Sequence, residues 1–375
     1  MSKKKSQRPK ARLPREAQNV LRSKGGAHGT RKGKRGYSRK RIKEEERFRN
    51  QADSNRVGFF CGAGYYKAMK IRENVILAPY TTFKIGGPAR FFVEAESENE
   101  ILEALEFARE KNLPVFILGG GSNVLVNDKG FDGLVIKILN TQYSILNTGI
   151  ECGAGVLLSK IVNESAKAGL SGLEWAAGIP GTIAGAVRGN AGAYGGAMAD
   201  VVESVKALNI EDLGVKVYDS GKCKFGYRDS IFKQDSSLMI LSVTLKLKKG
   251  DQKESEKIIK EILAKRKKSQ PEFPSPGSFF KNPIVKDKKL IREFEIDTGK
   301  KMKGDKIPAG YLIDRAGLRG KKVGGAMISK EHANFIVNIG KATADNVITL
   351  VAMAKARVRN KYGIQLEEEI RYVGF

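Results

Sequence analysis

An α+β protein with glycine-rich turns, behind a basic N-terminal tail, is what the sequence predicts, and three features predict it. An apolar run at 114–118 reads as a buried strand and feeds Gly119-Gly120-Gly121-Ser122-Asn123. A second glycine-rich stretch occupies 178–196. Between and after these, runs with helical spacing alternate with short strand-like runs. Consecutive glycines admit positive φ and leave no Cβ in the way, so one turn can aim several N–H groups at a phosphate. A glycine run after a strand is also an ordinary tight turn. Two backbone-rich surfaces in one domain suit a large nucleotide cofactor better than a single phosphate.

Residues 1–56 are rich in Lys, Arg, Gly and Ser and poor in apolar positions, so they read as disordered, with a short helix over 43–48. Folded sequence begins near Ile71, with a turn-rich stretch at 81–89 and a strand at 90–95. Ser97 and Glu100 resemble a capping box opening a helix over 99–111, with Ile101, Leu102, Leu105 and Ala108 at helical spacing. Strands at 114–118 and 133–138 complete a βαβ-type unit. From 145 to 250 the pattern is mainly short strands (201–208, 214–218, 238–247), with a helix over 157–168 and a loop at 225–232. Trp175 reads as a packing residue. A charged helix follows at 254–267, then a proline-stiffened loop from 269 to 283. A helix starts at 311, a strand spans 335–338, a long amphipathic helix spans 344–362 and a final strand 365–373.

Charge is unevenly placed. Residues 1–60 hold 20 Lys/Arg against 5 Asp/Glu, a net of +15 in a chain total of +27, which leaves the rest at +12. Three readings stay open for the tail: an RNA- or ribosome-binding arm, a solvated tail without function, or a segment upstream of a start at Met69. Nucleic acid as a partner is confined to this tail. Cys61, Cys152 and Cys223 are too few and scattered for a disulfide framework or a structural zinc site. With His28 and His332 alone, a histidine metal centre or a Ser-His-Asp triad is excluded, and no metal is expected. No apolar run approaches the ~18 residues of a membrane span, and the N-terminus lacks a signal-peptide core. The expectation is a cytoplasmic protein with no membrane partner.

Four further stretches gather polar groups: Tyr227-Arg228-Asp229-Ser230, then 277–283, 328–334 and 366–371. Alone, Arg228 beside Asp229 fits a surface ion pair, Ser278 a turn cap and His332 a surface histidine. Strand alternation puts Glu367 and Glu369 on one face and Glu368 on the other. Taken with TFKIGG at 82–87, GIPGTIAGA at 178–186, GNAGAYG at 189–195, GSFFKNP at 277–283, KEHANFIVN at 330–338 and LEEEIR at 366–371, these motifs carry a resemblance. From about 74 to 373 the chain resembles the UDP-N-acetylenolpyruvoylglucosamine reductase (MurB) family.

The resemblance implies a PCMH-type FAD-binding fold of two α+β subdomains at 69–252. A C-terminal α+β substrate domain would span 253–375, its final strand returning to the active site, with the tail at 1–68. It implies reduction of UDP-N-acetylglucosamine enolpyruvate to UDP-N-acetylmuramate for peptidoglycan precursors, with FAD as cofactor and NADPH as co-substrate. Hydride on the β-carbon builds charge on the α-carbon and its carboxylate, which calls for cations and a proton donor. The matching residues are Arg228 for the carboxylate, Ser278 as proton donor, and Glu369 as an acid whose pKa must be raised. The family motif selects Glu369 over Glu367. Implied cofactor contacts are Gly119, Gly120, Gly121, Ser122, Asn123, Gly178, Gly181, Thr182, Gly185, Asn190, Gly192 and Tyr194. Implied substrate contacts are Tyr227, Lys268, Asn282 and His332, with Lys268 replacing a family lysine at the position of Ser269.

The 50-residue interval from Arg228 to Ser278 matches the shorter branch of the family. The 91 residues from Ser278 to Glu369 exceed it, the surplus lying in a Lys-rich stretch at 284–306. Another FAD oxidoreductase of the same superfamily is the alternative, weakened by the joint presence of Arg228, Ser278 and Glu369.

Overall fold

A computed structural model describes residues 69–302 and 304–375. The expectations for the tail, including its helix at 43–48 and any nucleic-acid role, lie outside the described residues. The chain begins with β1 (Arg72–Ile76), β2 (Pro88–Ala95), α1 (Glu98–Glu110), β3 (Val115–Leu118), β4 (Val124–Val126) and β5 (Phe131–Ile138). Four of these strands form a sheet in the order β1-β2-β5-β3, with β2, β5 and β3 parallel. Ser97 caps α1 as expected, its hydroxyl accepting from Glu100 N–H at 3.2 Å. The Glu100 carboxylate reaches past the cap to Glu96 N–H, so the reciprocal half of the box lies one residue outside the cap. Ile101, Ala104, Leu105 and Ala108 are buried, the face that lies on β2 and β5.

The chain continues through β6 (Tyr143–Leu146), β7 (Gly149–Gly153), α2 (Leu158–Lys167), β8 (Leu170–Ser171), α3 (Ile183–Arg188), β9 (Gly192–Ala193) and β10 (Gly196–Ala197). Then come β11 (Val202–Asn209), β12 (Val215–Asp219), α4 (Ile231–Gln234), β13 (Leu238–Lys246), β14 (Lys248–Lys249) and α5 (Gln252–Ser269). The second large sheet is antiparallel, in the order β12-β11-β13-β7-β6. One apolar cluster joins both sheets, from Phe91 and Ile136 through Ile161 to Val205 and Val243. Ile259 and Ile262 of α5 are buried in that same cluster, although a division at 252/253 groups this helix with the C-terminal region. Helix α3 was not expected. Thr182 starts it inside the glycine-rich stretch by accepting from Gly185 N–H at 3.3 Å.

The last part contains α6 (Lys288–Thr298), α7 (Ala309–Arg315), β15 (Lys322–Val323), β16 (Ala326–Ile328), β17 (Ile336–Asn338), α8 (Ala344–Tyr362) and β18 (Arg371–Val373). Helix α8 has the expected bounds, between the Thr343 cap and Gly363 at φ 68°. Its Val347, Leu350, Val351 and Ala354 share a second core with Phe279 and Phe280, and with Phe83, Ile85 and Leu125 from the N-terminal part. The Lys-rich stretch at 284–306 contains α6, which buries Leu290 and Phe294 one turn apart. The final strand is shorter than expected, because the chain bends at Ile370 and Glu368 makes a single bridge to Phe280. β18 pairs in parallel with β4, immediately after the Gly119–Asn123 turn.

Candidate active site

The two glycine-rich loops touch. A Cβ on Gly119 would stand 2.7 Å from Thr182 Oγ1, and one on Gly120 would stand 2.6 Å from Gly181 Cα. Ser122 Oγ donates to Pro180 O at 3.1 Å and fastens one loop to the other. Gly121 at φ 63° packs on the Tyr80 carbonyl, and its own carbonyl accepts from Thr82 N–H at 3.0 Å. Among the described residues none accepts from the N–H of Gly120, Gly121, Ser122 or Asn123. Consecutive donors without an internal acceptor, beside the start of α3, fit the diphosphate of a dinucleotide such as FAD.

Several expected cofactor residues also serve the fold. Asn190 is buried, at φ 40°, and its amide is spent on the fold: Nδ2 donates to Gly226 O at 2.7 Å and Oδ1 accepts from Ala199 N–H at 3.0 Å. Gly178, at φ 74°, leaves room for the Arg266 side chain, whose Cδ would lie 2.8 Å from an added Cβ. Gly185 lies within α3. Tyr194 is half exposed and carries the Arg266 guanidinium over its ring at 5.3 Å.

Residues 226–229 form a tight turn, with Gly226 and Asp229 exchanging backbone hydrogen bonds at 3.0 and 3.3 Å. Arg228 is its third residue, at φ 57°, where glycine is favoured; a side chain there costs on the order of 1 kcal/mol. The strained turn aims the guanidinium inward. Nη2 donates to Gly192 O at 2.9 Å, and Nε lies 2.9 Å from Glu369 Oε1 with its N–H off line, an ion pair without a well-directed hydrogen bond. Burial raises the Glu369 carboxyl above the usual range and outweighs the opposing pull of Arg228, Lys233 and Lys281.

The three consecutive glutamates face three different cations. Glu367 is exposed and pairs with Lys281 at 2.9 Å, Glu368 pairs with Lys355 at 2.9 Å, and Glu369 alone meets Arg228. Glu369 is placed by its N–H, which donates to Phe279 O at 2.8 Å, and by Asn123 Nδ2, which donates to its carbonyl at 3.3 Å. Ser278 precedes Phe279 and bridges Phe335 on its other side. Ser278 is thereby held one residue from the Glu369 backbone contact. Asn334 locks this extended segment, accepting from Phe280 N–H at 3.0 Å and donating to Phe280 O at 2.8 Å.

A cavity of about 1050 Å³ adjoins Arg228. Asn190, Gly192, Tyr194, Tyr227, Arg228 and Asn282 line it, so residues expected at the cofactor and at the substrate meet there. Tyr227 Oη accepts from Asn282 N–H at 3.3 Å, while Asn282 Oδ1 caps α7 by accepting from Ala309 N–H at 3.0 Å. Lys268 is exposed in the last turn of α5 and does not line the cavity; Lys300, Lys301 and Lys306 do, and Lys306 Nζ lies 4.9 Å above the Tyr227 ring. His332 does not line it either. Its Nδ1 accepts from Asn334 N–H at 3.2 Å, its ring packs edge-on against Phe335 at 4.8 Å, and burial lowers its pKa. Sequence reasoning missed Lys233, the three cavity lysines and Asn334. The YRDSIFK run holds the signal for Lys233, five residues after Arg228.

Two family models match the chain. One is "UDP-N-acetylenolpyruvoylglucosamine reductase, C-terminal domain" over 270–373, and the other is "FAD binding domain" over 89–212. The UDP-N-acetylenolpyruvoylglucosamine reductase of Syntrophomonas wolfei is 39% identical over 308 residues, 81% of this chain and 95% of the relative. That of Solibacter usitatus is 36% identical over 82% of this chain and 97% of its own length. The crystal structure of the Thermus caldophilus reductase superposes with a TM-score of 0.66 at 37% identity, covering 82% of this chain and all of that one.

Proposed function

Because the chain belongs to the UDP-N-acetylenolpyruvoylglucosamine reductase family, an FAD-dependent oxidoreductase family, we propose that it reduces UDP-N-acetylglucosamine enolpyruvate to UDP-N-acetylmuramate, with NADPH as reductant, in the cytoplasm. The observation that carries this reading is the Arg228–Glu369 contact at 2.9 Å beside a cavity large enough for a nucleotide sugar. The loops at 119–123 and 181–182 would hold FAD, with their unmatched N–H groups at its diphosphate. FAD, when bound there, would supply the hydride chemistry.

The chain's own residues handle charge and proton. Arg228 keeps guanidinium N–H groups that no described residue accepts, and these take the substrate carboxylate. Ser278 gives its hydroxyl proton to the α-carbon, which is a strong base at that moment. Glu369, whose carboxyl burial raises above the usual range, stands 2.9 Å from Arg228 and holds its guanidinium toward the developing charge. Lys300, Lys301 and Lys306 take the diphosphate of the nucleotide sugar, the task first expected of Lys268. A tail at 1–68, an FAD-binding part at 69–252 whose core also takes Ile259 and Ile262 of α5, and a substrate-binding part at 253–375 go with this reading, with β18 bringing Glu369 back beside the glycine turn.

The test is the absorption spectrum of the purified protein, followed by NADPH oxidation with and without the enolpyruvyl substrate. A flavin spectrum and substrate-dependent oxidation are expected. A protein that takes up no flavin on reconstitution would contradict the reading.

A further inference from the structure

Lys233 lies on α4, outside the residues that the proposed reaction uses. The helix is firmly tied: Ser230 Oγ donates to Arg188 O at 2.7 Å, Ile231 N–H to Cys223 O at 2.9 Å, and Gln234 Nε2 to Asp229 Oδ2 at 2.9 Å. Phe232 is fully buried against Tyr218. A side chain on such a helix has little freedom. Lys233 turns its ammonium back over the 226–229 turn and donates to Arg228 O at 2.8 Å. It is half-buried, and burial lowers its pKa, with Lys281 and Arg188 adding to the effect and Glu369 and Asp229 opposing it. Among the described residues, Arg228 O is the one hydrogen-bond acceptor matched to it.

A surface lysine has no reason to bury its ammonium for one carbonyl. This carbonyl belongs to the residue at φ 57° in the glycine-favoured place of the turn. The bond therefore lands on the strained peptide that decides where the guanidinium points. Arg228 is gripped at both ends, its carbonyl by Lys233 and its guanidinium by Gly192 O and Glu369.

We propose that Lys233 is a positioning residue for the substrate half-reaction: by holding the Arg228 carbonyl it keeps Arg228 in the left-handed turn that presents the guanidinium to Glu369 and to the substrate carboxylate. The proposal rests on the reductase reading for its substrate. Its structural core, control of Arg228 by Lys233, does not.

The experiment uses the full-length holoenzyme with Lys233→Met, which keeps the length of the chain and removes the donor. In a crystal structure of the variant, Arg228 should leave the left-handed region or lose its contact with Glu369. In stopped flow, flavin reduction by NADPH should stay within about twofold of wild type. Reoxidation by the enolpyruvyl substrate should fall ~10- to 100-fold in kcat/KM, the range for a lost hydrogen bond to a charged donor. In an Arg228→Ala background, Lys233→Met should add no further loss, because nothing is left to aim. If Lys233→Met folds poorly, Lys233→Leu, which also removes the donor, tests the same points. The proposal is overturned if Arg228 stays in place in the variant, if both half-reactions fall together, or if the losses add in the Arg228→Ala background. Failure of the wild-type enzyme to use the enolpyruvyl substrate would sink the reductase reading while leaving the crystallographic arm decisive for Lys233.

Discussion

Gly120→Ala tests the contact between the glycine loops with a single methyl group. The residue is not at positive φ, so alanine is allowed by the backbone and the effect is one of space alone. The new Cβ would stand 2.6 Å from Gly181 Cα, 3.2 Å from Gly181 C and 3.3 Å from Thr182 N, all backbone atoms that cannot rotate away. Ordinary carbon–carbon contact requires the loops to separate by about 0.9 Å or more. Overpacking of this kind costs about 1–3 kcal/mol. Because the loops must part to admit the methyl, the cradle they form widens, and losing about 1–3 kcal/mol of its fit lowers FAD affinity about 5- to 150-fold. Gly119→Ala is the internal comparison. Its methyl would meet the Thr182 hydroxyl at 2.7 Å, which can swing aside at the loss of the α3 cap, a cost of about 1 kcal/mol. Flavin fluorescence titration of the apoproteins gives both dissociation constants. Equal affinity for Gly120→Ala and wild type would refute the claim that the joined loops shape the FAD cradle.

Two further outcomes are expected. Deleting residues 1–68 should leave flavin content and turnover within about twofold, because their sequence lacks core-forming apolar periodicity, and a truncated protein that unfolds or loses turnover would show the tail to be part of the enzyme. Glu369→Gln should change the pH dependence of stability in a definite direction. Burial raises the folded-state carboxyl, so its contribution is fully present below the usual glutamate range and is lost as pH rises through the raised folded value. The Gln variant should therefore gain stability relative to wild type on going from about pH 4 to pH 7 in urea titrations. A constant difference across that range would mean that Glu369 ionises at its ordinary value.

Much of the fold could be read from local pattern, because most of its helices carry their own period and caps. Ser97 announced α1, and the spacing of Val347, Leu350, Val351 and Ala354, all buried, announced α8. Helix α6 could not be read so easily: Leu290 and Phe294 are one turn apart, but the lysines around them hide the apolar stripe. Helix α3 was masked by glycines, and only the Thr182 cap marked it.

At the site, motif residues were legible because their chemistry differs from that of their surroundings. Their geometry was not. Nothing local says that Arg228 takes a glycine conformation, that Lys233 folds back onto its carbonyl, or that Glu367, Glu368 and Glu369 divide among Lys281, Lys355 and Arg228. Those facts depend on partners up to 141 residues away, such as Glu369 for Arg228. Lys268 illustrates the same limit, since its place beside a family motif did not put it on the cavity wall.

The central claim is that Ser278 donates the proton that completes substrate reduction. Stopped-flow flavin absorbance, with the two half-reactions run separately on Ser278→Ala, tests it most directly. NADPH should reduce the bound flavin at a near-normal rate, because that step takes no proton from Ser278. Reoxidation by the enolpyruvyl substrate should slow by ~10²–10⁴-fold, the usual loss on removing a general acid, and Ser278→Cys should recover part of the rate. Equal slowing of both steps, or of neither, would contradict the account.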